Sequence, residues 1–119
     1  HHPNLPEDKI PYWDFDAPNI PDEPRDASAG AIIASALLEL SQYVNDDKLS
    51  KEYQSVASQQ LRTLSSDEYL AAPQTNGGFI LKHSVGNKPR NSEVDAPLTY
   101  ADYYYVEALC RYKSLVDKP

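Results

Sequence analysis

Carboxylates and aromatic rings are the side chains in this chain that could do chemistry. Asp14 and Asp16 stand beside Trp13 and Phe15, Asp26 opens an apolar-periodic stretch, and Glu93, Asp95 and Asp102 gather around the start of another. Paired carboxyl groups support acid and base work on glycosidic bonds. The indole of Trp13 and the nine tyrosines offer flat faces for stacking on sugar C–H surfaces. Arg25 can pair with a carboxylate or a sulfate. Each assignment has a structural competitor. Asp26 and Asp102 sit where helix N-caps belong, and for both the capping reading is preferred. For Trp13 and Phe15 the preferred reading from composition is cover for a core edge.

Other chemistries find less support. His1 and His2 are terminal, His83 is isolated, and Cys110 is far away in sequence, so no metal site is expected. Asn76-Gly77-Gly78 reads as a turn rather than a phosphate loop. His83 and Ser84 are neighbours in sequence, not a nucleophile and its base.

At 119 residues the chain is long enough for one domain and no more. Eleven basic against eighteen acidic residues give a net charge of −7 without any Lys/Arg cluster, which argues against nucleic acid and anionic membrane surfaces as partners. No apolar run approaches membrane-spanning length, and no signal-peptide pattern is visible. The single cysteine, Cys110, cannot form an internal disulfide, and its apolar helical setting predicts a buried thiol. The sequence opens His1-His2-Pro3 and contains no Met, so it is expected to be a processed, truncated or partial chain.

These groups must be positioned by the following elements. Residues 1–25 form an irregular arm, because prolines at 11, 18, 21 and 24 remove backbone donors and hold the preceding residues extended. Residues 26–64 read as a helical hairpin. Its first helix runs from 26 to about 45, with an apolar stripe of Ile33, Leu37, Leu40 and Val44, widened by Ala29, Ile32, Ala36 and Tyr43. The small residues of its first turns, Gly30 and Ala34 among them, predict tight helix–helix packing. Asn45-Asp46-Asp47 links to a second helix with Leu49, Tyr53, Val56, Ala57, Leu61 and Leu64 on one face, and so short a link implies an αα-hairpin. Ser65-Ser66-Asp67-Glu68 offers one extra helical turn over 66–71. Residues 73–96 form a polar loop excursion with Asn76-Gly77 suited to positive φ, and Phe79–His83 predict a short strand, giving one small hairpin at most around 79–94. The final helix occupies 97–117, with Thr99-x-x-Asp102 as a capping box. Apolar and aromatic side chains surround it, which places it centrally in its protein.

Four motifs in one order carry a family resemblance: Pro11-Tyr-Trp-Asp-Phe-Asp16, Pro24-Arg-Asp-Ala-Ser-Ala-Gly-Ala-Ile32, Leu81-Lys-His-Ser-Val-Gly86 and Glu93-Val-Asp-Ala-Pro-Leu-Thr-Tyr-Ala-Asp-Tyr-Tyr-Tyr105. They resemble the C-terminal part of glycoside hydrolase family 88, the unsaturated glucuronyl hydrolases. The second motif is also similar to the unsaturated rhamnogalacturonyl hydrolases of family 105. The resemblance implies an all-α fold, the C-terminal part of an (α/α)6 six-hairpin barrel, with the 119 residues as a single incomplete domain. It implies removal of an unsaturated uronic acid from lyase-generated oligosaccharides by vinyl-ether hydration, with no metal or organic cofactor. The family's catalytic aspartates lie earlier in the barrel, so no catalytic residue is assigned to this chain, and the piece alone is expected to be inactive.

Substrate contacts are expected from Trp13 and Arg25 and from His83, Ser84 and Lys88. The stretch His83–Lys88 falls where relatives that favour sulfated substrates carry serines and a lysine. Here Ser84 and Lys88 match and His83 and Gly86 depart, which leaves a sulfate preference open. The expected partners are an unsaturated oligosaccharide and either the remaining barrel helices or further copies of the chain. A bacterial periplasm and cytoplasm both stay open as the compartment. The alternative reading is a non-catalytic helical module that binds carbohydrate or protein.

Overall fold

The structure is a computed structural model and describes residues 6–14, 16–86 and 94–117. Phe15, Lys88 and Glu93 lie outside the described residues. The described chain is all-α, with α1 spanning Ala27–Leu40, α2 spanning Asp47–Leu64 and α3 spanning Thr99–Val116. No strand forms among the described residues. The backbone of Leu70 pairs with Leu81 and that of Ser84 with Ala96, each as an isolated bridge, where a strand over Phe79–His83 was expected. The extra helical turn expected at 66–71 is a run of turns, closed by Leu70 N–H donating to the Ser66 carbonyl at 2.8 Å.

Both helix starts in the hairpin form as the local sequence dictates. Asp26 caps α1 with extended backbone, and Asp46 caps α2 by accepting from the Lys48 and Leu49 amides at 2.9 and 3.2 Å. Helix α1 ends at Leu40, earlier than expected. The Ser41 hydroxyl donates to the Leu38 carbonyl at 2.7 Å, and the Gln42 and Tyr43 amides donate three residues back, so the chain leaves the helix through tight turns. Ser50 then fastens the start of α2 to this corner by donating to the Ser41 carbonyl at 2.6 Å. The Asn76-Gly77 expectation holds, since Asn76, Gly77 and Gly78 all have positive φ in a short 3-10 turn.

The face that α1 buries differs from the expected one. Ala27, Ala31, Ala34 and Leu38 are fully buried, whereas Ile32 and Leu40 are exposed and Tyr43 is 75% exposed. Bulk does not decide the matter: α1 lies between α2 and α3, which barely touch each other. A helix flanked on both sides favours small side chains at its contacts, because they let the neighbouring backbones approach. Among the described residues it is α1 that lies between two helices. Gly30 serves the arm rather than another helix. A Cβ there would meet Ile10 Cδ1 at 3.0 Å, so glycine lets the fully buried Ile10 sit against α1 without shifting.

Helix α3 buries Ala101, Tyr105 and Ala108 and leaves Tyr100, Tyr103, Val106, Leu109 and Val116 exposed. Cys110 shares the uncovered side and is exposed, contrary to the expected buried thiol. Only one face of α3 finds a neighbour among the described residues, and a buried cysteine would need a second. The capping box is also absent. The N-cap of α3 is Leu98, with no side-chain cap, and the Asp102 carboxylate instead accepts from the Ile80 and Leu81 amides at 2.8 and 2.9 Å. Leu81 is fully buried, so its N–H needs an acceptor more than the α3 terminus does.

Tyr69 packs in the core at 1% exposure, and burial pushes its hydroxyl up to about 12, against the pull of Arg25. A tyrosine whose folded pKa exceeds its unfolded value of 10.0 contributes stability that is complete below that value. That contribution is lost as pH rises toward 12, because the unfolded chain releases its proton first. Denaturant titrations across this range should show a stability decline that Tyr69→Phe makes shallower. An identical alkaline slope in both proteins would remove Tyr69 as its source.

Candidate functional site

The arm, the start of α1 and the 83–85 segment converge on Asp26. Its Oδ1 accepts from the Ser28 amide at 3.1 Å, the Ser28 hydroxyl at 2.6 Å and the Val85 amide at 3.0 Å, while its own N–H donates to the Pro11 carbonyl at 2.8 Å. The next amide, Ala27, donates to the His83 carbonyl at 2.8 Å. One carboxylate thus caps a helix and fixes two loops, and the capping reading of Asp26 is the one the geometry realises.

Arg25 is held just before this hub. Its Nη1 donates to both Asp8 carboxylate oxygens at 2.9 and 3.0 Å and to the Ile10 carbonyl at 3.0 Å, and the guanidinium lies 4.8 Å from the centre of the Tyr12 ring. Burial works against its charge, but the hydrogen bond and charge of Asp8 outweigh that and leave its pKa raised. The arm is further tied to α2 where Gln60 Nε2 donates to the Lys9 carbonyl at 3.1 Å and Thr63 Oγ1 to the Asp8 carbonyl at 3.0 Å. An open cleft of about 440 Å³ lies beside this clamp, lined by Glu7, Asp8, Arg25 and Gln59. Trp13 is half-buried; its indole N–H donates to Glu23 at 2.8 Å and its amide to the Pro24 carbonyl at 3.0 Å. Trp13 and Arg25 lie twelve positions apart in the sequence. The pairing of Tyr12 with Arg25 across the arm is what joins them in space.

His83 and Ser84 follow the core tyrosine Tyr69. The His83 ring stands edge-on to Tyr69, with centroids 5.8 Å apart, and its Nδ1 lies 2.6 Å from Asp95 Oδ1. Ser84 is fully buried, exchanges backbone hydrogen bonds with Ala96 at 2.8 and 2.9 Å, and its hydroxyl has no partner among the described residues. Lys88 lies outside the described residues. The structure therefore gathers Arg25, His83 and Ser84 around the Asp26 hub and Tyr69, with Trp13 next to Arg25 on the arm. Sequence reasoning missed Asp8, Tyr69 and the role of Asp95. In the sequence Asp95 is one of several carboxylates, and no spacing rule links positions 83 and 95.

A second polar group joins α1 to α3. Ser35 Oγ donates to Glu107 at 2.5 Å, and this bond, with Tyr103 and Arg111 also contributing, holds the Glu107 carboxyl below the usual range although burial acts against it. Among the described residues no group of three or more His, Cys, Asp or Glu is placed to hold a metal ion. No described helix is long and apolar enough to cross a membrane.

No family model matches the chain. Individual proteins do. An unsaturated glucuronyl hydrolase of Formosa agariphila is 53% identical over 117 residues, which is 98% of this chain and 28% of that protein. The crystal structure of an unsaturated glucuronyl hydrolase specific for heparin is 58% identical with a TM-score of 0.93, over 98% of this chain and 31% of that one. A Streptococcus agalactiae unsaturated glucuronyl hydrolase variant, complexed with dGlcA-GalNAc6S, is 34% identical with a TM-score of 0.80, over 93% of this chain and 30% of that one. The chain thus spans under a third of the length of the relatives it matches. Its fold is that of a part of these (α/α)6 enzymes.

Proposed function

We propose that this chain is the C-terminal part of an unsaturated glucuronyl hydrolase of glycoside hydrolase family 88, and that its 119 residues are one incomplete domain of that enzyme. The observation that carries this reading is likeness over almost the whole chain, 58% identity with a TM-score of 0.93, to an enzyme of that name. The whole enzyme would take an unsaturated uronide from the end of an oligosaccharide cut by a polysaccharide lyase. An acid protonates C4 of the C4=C5 bond, water adds at C5, and the hemiketal opens to release the remaining sugar. The acid belongs to the part of the enzyme outside this chain. Asp26 supports that division, because it is committed to three donors in its own fold.

In this reading the chain supplies substrate contacts through Trp13, Arg25, His83 and Lys88, whereas Ser84, expected as a fifth, is fully buried and can only support its neighbours. Arg25 and Trp13 are each bonded to a carboxylate of the chain itself, Asp8 and Glu23, so they meet the sugar as held platforms. The substrate class is an unsaturated glycosaminoglycan disaccharide, since the most alike structure reported above is specific for heparin and another holds dGlcA-GalNAc6S.

Loss of ultraviolet absorbance from the conjugated double bond tests the reading in the whole enzyme. Unsaturated disaccharides should be consumed, and Lys88→Ala should raise KM for a sulfated one about tenfold while changing the unsulfated one little, as expected for one lost charged contact. Binding of the disaccharides without turnover would favour the non-catalytic module. Equal effects of Lys88→Ala on both substrates would remove it from sulfate recognition.

A further inference from the structure

His83 and Asp95 are twelve positions apart, and both adopt backbone conformations that most residues avoid. Their φ angles are +64° and +53°. Asp and His enter this left-handed region more readily than other side chains, but two such residues facing each other across a bridge need a reason. Between them, on the chain side of each, Ser84 and Ala96 exchange two backbone hydrogen bonds, and the His83 carbonyl accepts from the first amide of α1. The backbone is thus fixed on both sides, and the turn at each residue aims one side chain at the other across 2.6 Å.

An ionised carboxylate has no proton to give, so the atom facing it must be Nδ1–H. The edge-on Tyr69 ring holds the imidazole plane from another side. Nδ1 is thereby spent, and Nε2 makes no hydrogen bond among the described residues. With side chains 41% and 56% exposed, the pair lies at the surface rather than in the core.

We propose that Asp95 is a positioning residue for His83: it fixes the Nδ1–H tautomer and ring orientation so that Nε2 is presented to the substrate as a hydrogen-bond acceptor for a sugar hydroxyl. The proposal rests on the reading of His83 as a substrate contact given above. A carboxylate that orients an imidazole in this way fixes which nitrogen carries the proton. Asp95 does not itself touch the sugar.

The test uses the whole enzyme and glycine substitutions, because glycine keeps positive φ without strain and removes only the side chain. Nitrogen NMR of the His83 ring should show Nδ1 protonated and Nε2 bare in the wild type. Asp95→Gly should mix the two tautomers and raise KM for an unsaturated disaccharide about tenfold with kcat within about twofold, the pattern of lost binding in ground and transition state alike. Asp95→Asn should rescue most of the loss, since its amide oxygen still accepts from Nδ1–H. His83→Gly should cost at least as much as Asp95→Gly, and the double variant should be no worse than His83→Gly alone. An unchanged tautomer and KM in Asp95→Gly would overturn the proposal, as would additive losses in the double variant. A wild-type enzyme without turnover on any unsaturated disaccharide would instead overturn the proposed function, and the NMR measurement would then decide the orienting role alone.

Discussion

Replacing Asp26 with alanine is expected to speed hydrogen exchange of the Ser28 and Val85 amides together, by about two orders of magnitude. One carboxylate oxygen holds both of them, with the Ser28 hydroxyl as a third donor. Loss of an N-cap costs about 0.5–2 kcal/mol. Val85 is buried at 8% exposure, and a buried amide left without its charged acceptor costs about 1–3 kcal/mol more. Together these give about 1.5–5 kcal/mol, concentrated where α1 begins and where the 83–85 segment crosses it. Asn is also a good cap, so Asp26→Asn should retain much of the protection at Ser28. Val85 protection that survives Asp26→Ala would show that the 83–85 segment is held without it, and the hub would reduce to an ordinary helix cap.

The second large effect is expected from separating this chain from the rest of the proposed enzyme. Ile32, Leu40 and Tyr43 of the first hairpin and Tyr100, Tyr103, Val106, Leu109 and Val116 of α3 are exposed, with Tyr103 at 61% and Val116 at 57%. Scattered exposed apolar residues are ordinary, but so many on elements of one small chain resemble an uncovered interface. The purified 119-residue chain should therefore self-associate and bind an apolar dye, and, on the proposed function, which puts the proton donor outside this chain, its rate on an unsaturated disaccharide should fall below the whole enzyme's by about a thousandfold or more. Cys110 should react with a thiol reagent in the piece and be protected in the whole enzyme. A dilute monomer with a sharp melt would refute the uncovered interface. Turnover by the piece, abolished in Asp26→Asn, would move the catalytic acid into this chain.

The elements of the chain were legible because their causes are local. Asp26 and Asp46 cap helices from within three residues of the amides they serve, and Asn76-Gly77 takes positive φ from its own chemistry. The four ordered motifs likewise point to the unsaturated glucuronyl hydrolases that the chain is similar to over nearly its whole length. Contacts between elements were not legible. Periodicity identified a stripe of large apolar residues on α1, yet the buried stripe is Ala27, Ala31, Ala34 and Leu38. A repeat says which residues share a face, not how near the neighbouring helices come. Asp102 has the spacing of a capping box and caps nothing, because the Ile80 and Leu81 amides, 22 and 21 residues away in sequence, reach its carboxylate. Nor does anything near His83 announce Asp95. Tertiary structure alone decided these pairings, since a hydrogen bond is satisfied by whichever partner the packed backbone brings within about 3 Å, and sequence order sets that only within a few residues.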